Sequence, residues 1–212
     1  MIDSSDAAKL DPRVITLSDY AEDIHAIICE EAPTRHCILV GHAYGNRLAR
    51  YYASQYPAKV SALILMAVGG QRPIPFLAKV GMASCTFTSL PDWWRRNEIA
   101  RVFFAQDHAV PDYWLYGWNR QVGMLQMAAV HNTTAQWQWV FPGPVLVFQG
   151  VDDKIAPVQD AGLLAQQHLP LGTRVHLLYA GHAQLPEQHD EIVRVVCHFL
   201  RVSNGRWSTR PS

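Results

Sequence analysis

The sequence predicts an α/β protein: a mostly parallel sheet flanked by helices, with a helical insertion. Three observations carry this. Short apolar runs that end near glycine alternate with amphipathic segments of helical period, the pattern of parallel strands joined by crossover helices. The stretch from 71 to 142 breaks the alternation and holds six of the seven tryptophans (Trp93, Trp94, Trp114, Trp118, Trp137, Trp139). The 212 residues are 49% hydrophobic and 17% charged, enough for one domain burying roughly 70% of the surface its unfolded chain exposes.

The elements follow in order. Thr16–Glu30 has Tyr20, Ile24, Ile27 and Ile28 at helical spacing, Thr16 or Ser18 as N-cap, and Asp19 and Glu22 at the positive end of the dipole. Cys37–Val40 is an apolar run ending at Gly41, the mark of a buried strand. A helix follows from Tyr44 to about Gln55, with Leu48, Tyr51 and Tyr52 inward, and Tyr56-Pro57 stops it because proline cannot continue the ladder. Val60–Val68 is a second strand closed by Gly69-Gly70. In the insertion, short helical patterns are cut by Pro73, Pro75, Pro91 and Pro111. Alternation then resumes with a strand at Pro144–Gln149, a helix at Gln159–His168, a strand at Arg174–Tyr179 and a helix at Glu187–Val202. Residues 203–212 are polar and read as a frayed tail.

Composition removes several classes of function. Eighteen basic residues balance eighteen acidic ones, so no electrostatic footprint for nucleic acid exists. No apolar run approaches the ~20 residues that cross a bilayer, and no basic-then-apolar leader opens the chain. Cys29, Cys37, Cys85 and Cys197 are scattered, which gives neither zinc spacing nor a disulfide framework. Ten histidines form no H-x-x-x-H or H-E-x-x-H pair, so no metal is expected. The expectation is a cytoplasmic protein without cofactor, acting on a small apolar or aromatic molecule, with neither nucleic acid nor membrane as partner.

Three loops follow predicted strands: Gly41-His42-Ala43-Tyr44-Gly45, Gly150-Val151-Asp152-Asp153-Lys154-Ile155-Ala156-Pro157 and Gly181-His182-Ala183. In a parallel sheet the carboxyl ends of the strands share one edge, so these loops converge. An acid and a histidine brought together there can form a hydrogen-bonded pair, in which the acid fixes the imidazole tautomer and stabilises the imidazolium.

On these residues the chain resembles the α/β-hydrolase superfamily from about Pro12 to Val202. Gly41-His42-Ala43-Tyr44-Gly45 matches the G-x-S-x-G elbow except at the nucleophile. The helix-to-strand phrase from Ala49 to Leu65 is also similar to that superfamily. The acid loop, Gly-x-x-Asp-x-x-x-Pro, selects Asp153 over Asp152, and His182 takes the late histidine position before the last helix. The resemblance implies a partial α/β-hydrolase fold with core segments 1–70 and 143–202. Residues 71–142 fall where the superfamily places its substrate-covering cap.

Two departures shape the functional expectation. A methyl group at Ala43 cannot attack a carbonyl, so acyl-enzyme chemistry is impossible there; either a serine has been exchanged for alanine or the protein natively carries alanine. The strands and His-Gly loop expected ahead of the elbow are also missing, which leaves the Tyr44 N–H as the sole recognisable oxyanion donor. An N-terminally truncated relative is the expected reading, with a homodimer through the exposed edge of the Cys37–Val40 strand as the alternative.

The site is therefore expected at Asp153 and His182, with Ala43 inert in the nucleophile position and His42, Trp114 and Trp118 touching the ligand. Each has a plainer reading. Asp153 could close a turn on its own backbone, His42 could serve packing, and the tryptophans could form the core of the insertion. Asn46 is expected to be solvated at a helix start. Cys29 and Cys85 are possible nucleophiles, yet nothing places them beside His182. The expected activity is ester, amide or carbon–carbon bond hydrolysis, impaired or serine-independent; the alternative is a non-catalytic binding protein or an inactive paralogue.

Overall fold

Thr16 caps the first helix, α1 (Leu17–Glu31), through a reciprocal bond pattern in which its own N–H donates to Asp19 and its side chain accepts from the third helical N–H. The computed structural model describes residues 11–70, 72–87, 89–133, 141–168 and 174–207, without the side chains of 167, 168, 174 and 203–207. The predicted cap residues Trp137 and Trp139 and the last five residues lie outside these. Leu17 and Ala21 are buried on α1 and Ile24 and Ile28 pack beside them, whereas Ile27 is 53% exposed. Tyr20 packs against Ile15 and Leu17 as well, so three of the four residues expected inward face the core and only Ile27 turns out.

Four parallel strands form the sheet in chain order: β1 (Cys37–His42), β2 (Val60–Met66), β3 (Val145–Gly150) and β4 (Arg174–Leu178). Helix α2 (Tyr44–Gln55) and a 3₁₀ turn at Pro57–Lys59 join β1 to β2. Between β2 and β3 come α3 (Phe76–Cys85), α4 (Asp92–Phe103), a 3₁₀ turn at Asp112–Leu115 and α5 (Arg120–Asn132). Helix α6 (Val158–His168) crosses from β3 to β4, and α7 (Gln184–Trp207) follows β4.

The central strands are apolar on both faces, as helices on both sides of a parallel sheet require. On one face Leu63, Leu65, Val145 and Val147 pack with Tyr52 and Ala53 of α2 and Leu164 of α6. On the other, Ile64, Leu146 and Phe148 pack with Ile192 and Phe199 of α7. Each such side chain stabilises the fold by about 1.5–3 kcal/mol relative to exposure.

β1 departs from the buried strand expected of an all-apolar run. It ends the four-stranded sheet, and its burial alternates, with Ile38 41% and Val40 60% exposed. Only the face toward α2 is covered. The last helix is also longer than expected, because residues 203–207 continue it to Trp207 rather than fraying. Its opening turn, which contains Pro186, is set off by non-helical angles at Gln188. That separate turn holds Gln184 and Glu187 beside the carboxyl ends of the strands.

Candidate active site

The turn from β1 into α2 is tight enough to dictate its own sequence. A side chain at Gly41 would bring its Cβ to 2.5 Å from the Gly45 carbonyl oxygen and 2.7 Å from the Asn46 Cα, so only glycine fits. Ala43 sits at φ 51°, ψ −113°, a region that costs a non-glycine residue about 1–3 kcal/mol. The surroundings hold it there. The Ala43 N–H donates to the Met66 carbonyl at 3.0 Å, and buried Asn46 donates from Nδ2 to the carbonyls of Ala43 (2.6 Å) and Ala67 (3.1 Å). Arg50, one turn along α2, donates to Asn46 Oδ1 at 3.1 Å and to the Gly69 carbonyl at 3.3 Å. Its burial depresses the guanidinium to about 9. The residue expected to be solvated, Asn46, is instead a fully buried tie between the elbow and the end of β2.

The acid loop after β3 encloses Asp153, which is 6% exposed. Its Oδ1 accepts from the N–H groups of Ile155 (2.9 Å) and Ala156 (2.8 Å), and its Oδ2 from Gln149 Nε2 at 3.2 Å. His182 approaches from the loop after β4, its Nδ1 lying 2.9 Å from Oδ2 and 3.0 Å from Oδ1 of Asp153. Beside an acceptor-only carboxylate, Nδ1 carries the proton and Nε2 is left basic. Nε2 has no hydrogen-bond partner among the described residues, and the ring lines a cavity.

The histidine loop is itself held from three sides. Gly181 passes so close to the end of α4 that a Cβ would stand 2.6 Å from the Phe103 carbonyl oxygen. The Ala183 N–H donates to that same oxygen at 2.8 Å. Glu187 accepts from the N–H groups of Gly181 (2.8 Å) and Ala105 (2.7 Å). Burial raises the Glu187 carboxyl above its ordinary value.

The cavity measures about 280 Å³ and lies between the strand ends and the insertion. Ala43, Ala67 and His182 form one wall; Met82 of α3, Phe103, Trp118 and Met127 of α5 form much of the other. The structure therefore brings together Ala43, Tyr44, Asp153, His182 and Trp118. His42 and Trp114 do not join them at the cavity wall. The His42 Nε2 stands 2.8 Å from the His182 carbonyl oxygen, and burial, then the neighbouring His182 charge, lowers its pKa to about 4. Neutral at ordinary pH, it donates to that carbonyl and supports the loop from behind. Trp114 packs edge-on against Phe104 and accepts, through its carbonyl, the indole N–H of Trp118.

Sequence reasoning missed Asn46, Gln149 and Glu187 as supports. Gln149 left a signal: it is the lone polar residue in Val-Leu-Val-Phe-Gln-Gly, a strand buried throughout. It donates to Asp153 and to the Ala156 carbonyl while accepting from the Val68 N–H. Among the described residues no group of three or more His, Cys, Asp or Glu side chains could hold a metal ion. No described helix is long and apolar enough to cross a membrane.

A parallel sheet with a strained strand-to-helix elbow, an acid after β3 and a histidine after β4 defines the α/β-hydrolase class. Within that class, the model of the serine aminopeptidase S33 family matches residues 9–182, and the chain belongs to that family. A hydrolase from Pseudomonas aeruginosa PA01 is similar in structure, with a TM-score of 0.70 and 20% identity over 90% of this chain and 74% of the other. An esterase from Exiguobacterium antarcticum gives 0.67 and 18%, over 90% and 76%. A lipase candidate from Acinetobacter baumannii AYE gives 0.71 and 19%, over 93% and 70%. No curated protein matches the chain.

Proposed function

We propose that this chain performs serine-independent hydrolysis of small apolar esters, with Asp153 and His182 as the working pair. One observation carries the reading: His182 presents a basic Nε2 to the cavity while both Asp153 oxygens hold Nδ1. A water bound between Nε2 and the substrate carbonyl gives its proton to Nε2 as its oxygen bonds to the carbonyl carbon. The carbonyl oxygen becomes an oxyanion facing the Tyr44 N–H, one of the unpaired donors that open any helix. Collapse breaks the bond to the leaving oxygen, which takes the proton from His182, and acid and alcohol depart.

Ala43 sets the ceiling. Without a nucleophile acting in the unit, turnover sits on the order of 10⁶ below that of a serine enzyme. The same residue favours a second reading, non-catalytic binding of the ligand in an intact pocket. Hydrolysis of p-nitrophenyl acetate and butyrate by the chain, its His182→Ala variant and its Ala43→Ser variant separates them. The expected result is slow turnover in the parent, about 10²–10⁴-fold above His182→Ala, the usual yield of general base catalysis. A parent no faster than His182→Ala removes the catalytic reading. Turnover that appears only with Ala43→Ser leaves the binding one.

A further inference from the structure

Helix α3 buries one face and turns an apolar one to solvent. Ala78, Gly81, Ser84 and Cys85 are buried, Ala78 and Cys85 sharing a core with Ile99 and Val102 of α4. Phe76, Val80, Ala83 and Phe87 recur at i, i+4, i+7 and i+11, a stripe of helical period. All four are exposed, with Leu77 beside them; Phe76 is 77% and Leu77 68% in solvent. Phe87 lies just past the helix, and its N–H donates to the Ser84 carbonyl at 3.1 Å, which carries the turn on. Exposed apolar residues scattered singly are ordinary, whereas a contiguous patch marks a surface that meets another apolar phase.

The charges beside the stripe are mostly cationic. Lys79 is the one charged residue of α3, and it is exposed. Arg101 and Lys154 border a surface groove together with Leu77. The Lys154 Nζ donates to the Arg101 carbonyl at 2.8 Å, and Glu98 pairs with the Arg101 guanidinium. Asp153 also borders the groove, but its carboxylate is fully buried against His182. Of these groups three are cations, and Glu98 is the one anion open to solvent. A two-fold contact between copies through α3 sets Lys79 near its own mate, with no acid on the helix to answer it. Anionic headgroups answer the cations, and acyl chains take the stripe.

We propose that α3 docks this protein on the surface of an anionic phospholipid membrane. Phe76, Leu77, Val80 and Phe87 enter the boundary between headgroups and acyl chains, and Lys79, Arg101 and Lys154 meet lipid phosphates. The helix, ten residues long, is too short to span and lies in the plane of the interface. This reverses the expectation that no membrane is a partner. Eighteen basic and eighteen acidic residues cancel over the whole chain, but docking responds to the local excess within a Debye length, about 8 Å at physiological salt. Docking stands or falls independently of any turnover. Ile74 and Met82 line the cavity that His182 faces, so the segment that docks also forms part of that cavity's wall.

Co-sedimentation of the full chain with vesicles tests this, using phosphatidylcholine alone and an equal mixture of phosphatidylcholine and phosphatidylglycerol. In dilute salt the chain is expected to partition at least tenfold more strongly onto the mixed vesicles, and the preference is expected to shrink in about 0.5 M salt. The double variant Phe76→Ser, Leu77→Ser is expected to lose at least tenfold in partition onto mixed vesicles. Its urea midpoint is expected to stay in place, since both side chains are already in water. Lys79→Gln is expected to cut the preference for mixed vesicles about fivefold while leaving binding to phosphatidylcholine alone. No partition onto either vesicle, equal partition onto both, or binding undiminished in the double variant overturns the proposal. So does a dimer, seen by sedimentation velocity, that the double variant dissociates while vesicles capture nothing; the stripe then belongs to a second copy. Should the double variant lose its urea transition, Lys79→Gln decides: an undiminished preference for mixed vesicles overturns the proposal, a reduced one supports it.

Discussion

The two halves of the candidate site, the acid–histidine half and the elbow half, are maintained by different means. Asp153 and His182 are held by hydrogen bonds to their own side chains: two N–H groups and a glutamine on the acid, the acid on the imidazole. The elbow is held by its backbone. Asn46 grips the carbonyls of Ala43 and Ala67 and Arg50 that of Gly69, so the bonds that tie the elbow reach Ala43 through its backbone. The contrast shows that elbow geometry does not depend on a nucleophile being present. Tight packing and buried amide bonds specify it, and a serine could leave the position without disturbing them. In the other half, shape and chemistry reside in the same atoms.

The largest expected effect tests whether packing controls the elbow. Gly41→Ala drives a Cβ into the backbone of Gly45 and Asn46, where no flexible side chain can yield. The expected loss is about 3 kcal/mol or more, at the upper end for overpacking. Gly45→Ala, four residues on, meets nothing within 4 Å and sits in the first turn of α2. There it removes the cost of helical glycine and is expected to stabilise by about 0.5 kcal/mol. Urea unfolding of the two variants checks the pair; equal losses would break the view that a single close approach shapes the elbow.

The same contrast explains what the sequence revealed. Strand and helix placement was legible because apolar runs and 3.6-residue stripes report burial directly. The order of Ala43, Asp153 and His182 was legible because each closes a strand whose carboxyl end the parallel topology fixes. The supporting residues were not. Asn46 at a helix start looks like any solvated amide, and its burial depends on Ala67, just past β2, and on Arg50, which bonds its side-chain oxygen. His42 adjoins Ala43 and Trp114 lies four residues before Trp118, yet neither reaches the cavity wall. Ile38 and Val40 misled in another way: strand periodicity tells which residues share a face but not whether anything covers it.

A second test, of intermediate size, sets the two halves against each other through pH. The folded pKa of His42 is about 4, against about 6.5 for an unfolded histidine. As pH falls below 6.5 the unfolded chain takes up this proton before the native one does. The contribution to stability is therefore full above pH 6.5 and declines until about pH 4, by about 3 kcal/mol at most. The groups that set this are burial and the His182 charge, with the His182 carbonyl and Asp153 opposing. In His42→Gln the decline over that window is expected to be shallower than in the parent, as read by urea unfolding at pH 7, 6, 5 and 4. Matching slopes would mean that His42 does not couple the elbow to the histidine loop.

The smallest expected effect bears most directly on Ala43. Its angles, φ 51° and ψ −113°, are the mirror image of an extended conformation, a region open to glycine and closed to residues with a Cβ. Ala43→Gly relieves strain of about 1–3 kcal/mol, while the freer unfolded chain takes back about 0.4–1 kcal/mol. The net is a gain of about 1 kcal/mol, visible as a rise in the urea midpoint at unchanged slope. Ala43→Ser keeps the Cβ and the strain, so its midpoint stays with the parent. If glycine instead destabilises, the methyl makes packing contacts that matter, and the elbow depends on its side chain after all. A gain would mean that the strain at this position is maintained by Asn46 and the β2 end alone, independent of any chemistry performed there.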